Sequence, residues 1–239
     1  MDLLRHIPLT LRTPSGSDTP GGIRDQISAG PVEALDIYRW QAIHEPHTFI
    51  TAQLVSRILG EARRAVSLGV DGIKERLLVE HLPDLSITAV DIDRPYMDGC
   101  AVSLAHPRLE WGAFDVTTGD YGQFTGADTA LLLQMDYQFD DATLAGIFAS
   151  LAGAGVPRVV VLSPSLRGPM PLLEVGAMVK RHLRQRRRPE ASYIRTRPRF
   201  AAIARPYALY SVEWYSLPFH RIALADVRLG LASTTPLKH

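Results

Sequence analysis

The sequence predicts an α/β protein: a doubly wound, mainly parallel seven-stranded sheet with an antiparallel closing strand and helices on both faces. Three observations predict it. Residues Arg64 to Asp93 read as strand, glycine turn, helix and strand within about 30 residues. Continuous apolar runs then recur at Leu109–Phe114, Asp128–Leu133 and Val159–Leu162, separated by helical or turn-rich segments, as strands covered on both faces do. Two β-like runs, Tyr207–Leu217 and Phe219–Val227, have only Pro218 between them. So short a connection suits antiparallel partners, because a parallel pair needs a crossover.

Taken in order, residues 1–31 read as a flexible N-terminal arm, since 13–31 is TPSGSDTPGGIRDQISAGP. Residues 32–60 form a helical section in two pieces. Val32, Leu35, Ile37, Trp40 and Ile43 lie roughly on one side of the first; Pro46 breaks it; Phe49, Ile50, Leu54, Val55 and Ile58 carry the second. The main domain, 61–230, begins with the strand Ala65–Leu68. Gly69 and Gly72 make the turn, and Ile73, Leu77, Leu78 and Leu82 stand at helical spacing up to Pro83. The second strand, Ile87–Val90, delivers Asp91 and Asp93. A short helix follows over Arg94–Ala105, and the third strand ends at Asp115. The fourth ends at Gln134-Met135-Asp136-Tyr137. Asp140 and Asp141 open a helix over Ala142–Leu151, as acids suit a helix N-terminus. The fifth strand ends at Ser163. Pro171–Arg188 reads as a helix ending in KRHLRQRRR, and 231–239 as a tail.

One cysteine, Cys100, excludes a disulfide framework and a cysteine metal site. No run approaches the ~18 apolar residues of a membrane span, and the opening MDLLRHIPLTLRTPSG lacks the hydrophobic core of a signal peptide. The expected location is the cytoplasm. Charge is uneven: residues 158–239 hold 15 Lys+Arg against 4 Asp+Glu, and residues 1–157 hold 11 against 21. The basic half could face an anionic acceptor, or the two halves could neutralise each other. Tyr38, Arg39, Trp40, His44 and His47 cluster in the helical section, where they could cover a substrate or form an ordinary helix surface. With Pro46 between His44 and His47 and no other ligand evident, no metal site is expected.

The strand ends carry the chemistry. Ligands in such sheets sit beyond the carboxyl ends of the strands, and an acid at the end of the second strand is placed to accept from the two hydroxyls of a ribose. A dinucleotide loop has Gly-x-Gly-x-x-Gly so that amides reach a pyrophosphate. Here the loop is Gly69-Val70-Asp71-Gly72, and an Asp71 carboxylate facing the pocket would repel a pyrophosphate. S-adenosylmethionine carries no phosphate, and its ammonium could face that acid.

With these residues in view, the chain over about Ala65–Val227 resembles the class I S-adenosylmethionine-dependent methyltransferases. SLGVDG resembles their first, glycine-rich motif, with Gly69 on its first glycine. Asp71 stands where the family usually has a second glycine, and Ser67 where it often has an acid. TAVDID resembles the second motif, which makes Asp91 the ribose carboxylate, with Ile92 beside it. AFDVTT resembles the third, which makes Asp115 the acceptor of the adenine amino group, with Phe114 and Val116 beside the ring. LLLQMDYQFDD resembles the segment after strand four, where Gln134 would meet the cofactor. The resemblance implies S-adenosylmethionine as cofactor, bound by Gly69, Asp71, Gly72, Asp91, Ile92, Phe114, Asp115, Val116 and Gln134.

It also implies methyl transfer to an oxygen or nitrogen of a small-molecule or glycan-type acceptor. The protein must align nucleophile, methyl and sulfur, and an oxygen acceptor must lose a proton. Asp136, Tyr137 and His47 are the candidate catalytic residues; capping or packing is the competing role for each. MDYQ stands where nucleic-acid amino-methylating enzymes carry Asn-Pro-Pro-Tyr, which argues against a base amino group as acceptor. Two alternatives remain: a methyltransferase-like binding protein without turnover, suggested by Asp71, and an RNA methyltransferase gripping phosphates through Lys180–Arg188. The oligomeric state is open.

Overall fold

A computed structural model describes residues 22–45, 47–70, 72–163, 195, 197–207, 213–216 and 223–230. The order is α1 (Ile23–Ala29), α2 (Ala34–His44), α3 (His47–Leu59), β1 (Arg64–Leu68), α4 (Ile73–His81), β2 (Ser86–Asp91), α5 (Arg94–Ser103), β3 (Leu109–Ala113), β4 (Thr129–Leu133), α6 (Asp141–Gly153), β5 (Arg158–Ser163), α7 (Arg197–Ala204), β6 (Glu213–Ser216) and β7 (Ala223–Arg228). Short 3-10 turns precede β4, at Tyr121–Phe124, and follow it, at Asp136–Gln138.

The strands form one sheet in the order β3-β2-β1-β4-β5-β7-β6. Strands β1 to β5 run parallel, and β7 pairs antiparallel with both β5 and β6. Every residue of β4 and β5 is buried, which is why these segments read as unbroken apolar runs. Successive side chains still alternate between the faces. Leu131, Leu133, Val160 and Leu162 meet Ile37, Val55, Leu59, Leu78 and Cys100 on one face. Ala130, Leu132, Val159 and Val161 meet Leu144, Ile147, Phe148 and Phe200 on the other.

An ion pair ties the sheet's centre to its antiparallel strand. Arg158 donates to both oxygens of Asp226, at 2.8 and 2.7 Å, and to the carbonyl of Ile58 near the end of α3. Both side chains are nearly buried, and Asp226 is approached as well by the half-exposed Arg228 at 3.8 Å.

Two elements differ from the sequence expectation. Part of the expected arm is α1. It has no side-chain N-cap bond, and seven residues alone could not sustain a helix. It forms because Ile27 packs, 1% exposed, against α5. The polar stretch SYIRTRPRF supplies the first half of α7, anchored by Phe200 edge-on to Phe148, with ring centroids 6.0 Å apart. The expected helix at Pro171–Arg188 and the connection at Pro218 lie outside the described residues.

Candidate functional site

Register sets the rim. Leu68 pairs with Val90, so Gly69 and Asp91 leave their strands side by side, and the Gly69 amide still donates to the Val90 carbonyl at 2.8 Å. The turn is left-handed at Gly69 (φ 72°) and at Gly72 (φ 89°). A Cβ on Gly69 would fall inside the Met135 side chain, and one on Gly72 would lie 2.7 Å from the Tyr96 hydroxyl. Both glycines are therefore required by backbone and by space. Asp71 lies outside the described residues.

Asp91 is 5% exposed. Its Oδ2 accepts from the Val70 amide at 3.2 Å, and its Oδ1 from the Asp93 amide at 2.9 Å. Oδ1 also accepts from the Arg24 guanidinium of α1 at 2.9 Å. Asp93 caps α5 by accepting from the Tyr96 amide. Next to Asp91, Ile92 is 71% exposed, an apolar side chain left on the rim.

Beneath the turn lies a polar layer that the sequence pattern hid. Lys74 and Glu75 occupy the first turn of α4 and have no solvent exposure. Glu75 accepts from the Gly72 amide at 2.8 Å and from the Ser67 hydroxyl at 2.7 Å, bracing the glycine turn against β1. Lys74 donates to Oε1 of Gln134 at 2.9 Å. Gln134 is itself left-handed (φ 65°) where β4 ends, and its amide donates to Leu162 of β5. Strain of this kind needs support from its surroundings, which Lys74 and β5 supply.

At the end of β3, Asp115 closes a turn. It accepts from the amide and hydroxyl of Thr117, at 2.8 and 2.6 Å, and from the Thr118 hydroxyl at 2.9 Å. The Thr117 hydroxyl and then its amide hold the carboxyl below the usual carboxylate range. Phe114 is buried in an edge-on cluster with Tyr121 and Phe124, at 5.3 and 4.9 Å. Val116 lies in the same core and its carbonyl accepts from Tyr121.

After β4, Asp136 is fully buried while Tyr137 is half-buried. Burial pushes the Asp136 carboxyl up to about 6, against the pull of the Ser163 hydroxyl and the Arg195 charge. Neither Asp136 oxygen meets full hydrogen-bond geometry with a described residue. Arg195, 1% exposed, locks this segment by donating to the carbonyls of Asp136 and Phe139 and to Asp141 at the start of α6. His47 opens α3. The other polar rings of α2 are engaged nearby: Tyr38 donates to Glu80 of α4, and Trp40 lies 4.6 Å from the His44 ring.

No protein-family model matches the sequence, and neither does any curated protein. Solved structures do. An O-methyltransferase family protein from Burkholderia thailandensis superposes with a TM-score of 0.60 at 16% identity, over 87% of this chain and 59% of that one. The mitomycin 7-O-methyltransferase MmcR gives 0.61 at 16%, over 86% and 67%. Human N-acetylserotonin methyltransferase, in complex with S-adenosylmethionine, gives 0.56 at 12%, over 84% and 61%. The chain has the class I methyltransferase fold.

The chain spans about three fifths of the length of the Burkholderia and human proteins. On this methyltransferase fold, Gly69, Gly72, Asp91, Ile92 and Gln134 lie together around the ends of β1, β2 and β4, while Asp115 stands at the end of β3. Sequence reasoning missed Arg24, Lys74, Glu75 and Arg195. Only Glu75 left a signal, as an acid three residues after the turn glycine at the place of a capping residue. Among the described residues no group of three or more His, Cys, Asp or Glu could hold a metal, and no helix is long and apolar enough to cross a membrane.

Proposed function

We propose that this protein transfers a methyl group from S-adenosylmethionine to an oxygen or nitrogen of a small-molecule acceptor. The observation that carries the reading is Asp91: a carboxylate at the end of β2, held by the Val70 amide against a left-handed glycine turn. That is the position from which an acid takes a ribose diol in α/β nucleoside sites. Ile92 adds an exposed apolar side chain beside it for a purine face. Asp115 keeps a charged carboxylate at the next strand end for an adenine amino group. The residue types fit the cofactor's hydroxyls and amino group: acids at the ends of β2 and β3, and a glycine turn at the end of β1.

The cofactor would supply a methyl group already activated by a sulfonium. The chain's own part is to hold, orient and exclude water. Gln134, fixed by Lys74, marks the floor between turn and acceptor side. Tyr137 and His47 are the proposed partners for an acceptor proton. Asp136, without exposure, acts on this reading by positioning the segment that bears Tyr137. Three solved structures of the same fold are named as methyltransferases, two of them O-methyltransferases, which supports a hydroxyl acceptor.

A second reading has its own observation. Met135 lies across Gly69 and Arg24 holds Asp91, as they would in a methyltransferase-like binding protein without turnover. Calorimetry with S-adenosylhomocysteine tests the first reading: we expect binding by the wild type and its loss in Asp91→Ala. Equal affinity in both would remove Asp91 from the site. Absence of binding of both S-adenosylmethionine and S-adenosylhomocysteine to the wild type would favour the second reading.

A further inference from the structure

We propose that α1 is a built-in competitor for the ribose site: Arg24 holds Asp91 in the ligand-free chain, and cofactor binding displaces the helix. The inference rests on the reading of Asp91 as the ribose carboxylate. A carboxylate has about four acceptor positions. Three are used here, by Arg24 and the Asp93 amide on Oδ1 and by the Val70 amide on Oδ2. A ribose diol donates two hydrogen bonds, so one position too few remains while Arg24 is in place. Asp91 is also only 5% exposed with α1 docked.

Arg24 fits the role of an internal ligand. Its guanidinium lies 4.1 Å from the centroid of the Tyr96 ring, reaches Asp93 Oδ2 at 3.4 Å, and donates to the Val70 carbonyl at 3.4 Å. It thus touches both the glycine turn and the end of β2. The helix behind it is weakly held in itself, with seven residues and no side-chain cap. Its second anchor is Ile27 on Gly99 of α5, where a Cβ would overlap the Ile27 carbonyl oxygen. A short element held chiefly through the Arg24 guanidinium and the Ile27 side chain can leave without unfolding the sheet.

The test uses the full chain with S-adenosylhomocysteine as probe and two independent ways of releasing α1. Arg24→Ala removes the competing donor. Gly99→Ala leaves α5 a good helix but pushes Ile27 off it, without touching Asp91. We expect both to bind the probe about three- to tenfold more tightly than the wild type, as when a docked state holds most of the population. We also expect the probe to speed amide exchange in residues 24–29 of the wild type while slowing it around Val70. Unchanged or weaker binding in both variants, or protection of α1 by the probe, would overturn the competition and leave the cofactor reading standing. Failure of every form to bind would instead remove the cofactor reading, and the competition with it.

Discussion

Asp136→Asn isolates the cost of a charge inside this fold. The Asp136 carboxyl has an ordinary value of 3.8 and is pushed up to about 6, first by burial. The folded chain therefore holds this proton more tightly than the unfolded chain does. Between about pH 4 and pH 6 the folded state binds more protons, so this group's contribution to stability falls as pH rises through that window. A shift of roughly two units amounts to about 3 kcal/mol lost by pH 7. Asparagine keeps the shape and never ionises. We expect Asp136→Asn to gain on the wild type by an amount that grows toward about 3 kcal/mol at pH 7, or about 6–12 °C in Tm for a chain of this size. The assay is urea unfolding of both proteins at pH 4, 5, 6 and 7, read as the difference between them. The difference is needed because Asp115, Asp140 and Asp141 titrate below the usual range and slope the total the other way. A difference that stays constant from pH 4 to pH 7, or that moves against the variant as pH rises, would refute the reasoning.

Two further outcomes follow from packing. Arg158→Met should cost about 3 kcal/mol, the lower end for a broken buried pair, because the buried Asp226 keeps only the half-exposed Arg228, whereas Arg158→Met with Asp226→Leu should cost less than the single change; a double-mutant cycle in urea checks this. Gly72→Ala should cost about 1–3 kcal/mol through its left-handed backbone, and adding Tyr96→Phe should return part of that, because the Tyr96 hydroxyl is the atom a Cβ meets first. No recovery in the pair would place the whole penalty in the backbone.

What could be read from the sequence depended on how local its cause was. The unit β1–α4–β2 was legible because Gly69, Pro83 and two buried apolar runs mark its turns within a residue or so. The antiparallel sense of the closing pair was legible, but its strands are shorter than the runs Tyr207–Leu217 and Phe219–Val227: they are Glu213–Ser216 and Ala223–Arg228, so residues 217–222 separate them rather than Pro218 alone, and Tyr207 lies in a turn after α7. By contrast, α1 owes its existence to Asp91 and Gly99, some seventy residues along the chain, and its own composition reads as an arm. Lys74 and Glu75 read as the wet side of an amphipathic helix. They are dry because Ser67, Gly72 and Gln134 supply partners in the turn's floor. Arg195 looked like one more charge in a basic stretch, yet it is buried because the carbonyls after β4 have no strand to pair with. Asp71 and the basic run Lys180–Arg188, on which two of the alternatives turned, lie outside the described residues.

The most direct test of the central claim is a crystal structure with S-adenosylhomocysteine. Both ribose hydroxyls should lie about 3 Å from the Asp91 carboxylate, with the purine against Ile92 and Arg24 released. A nucleoside bound away from Asp91, or no nucleoside with Arg24 still on Asp91 at saturating ligand, would contradict it.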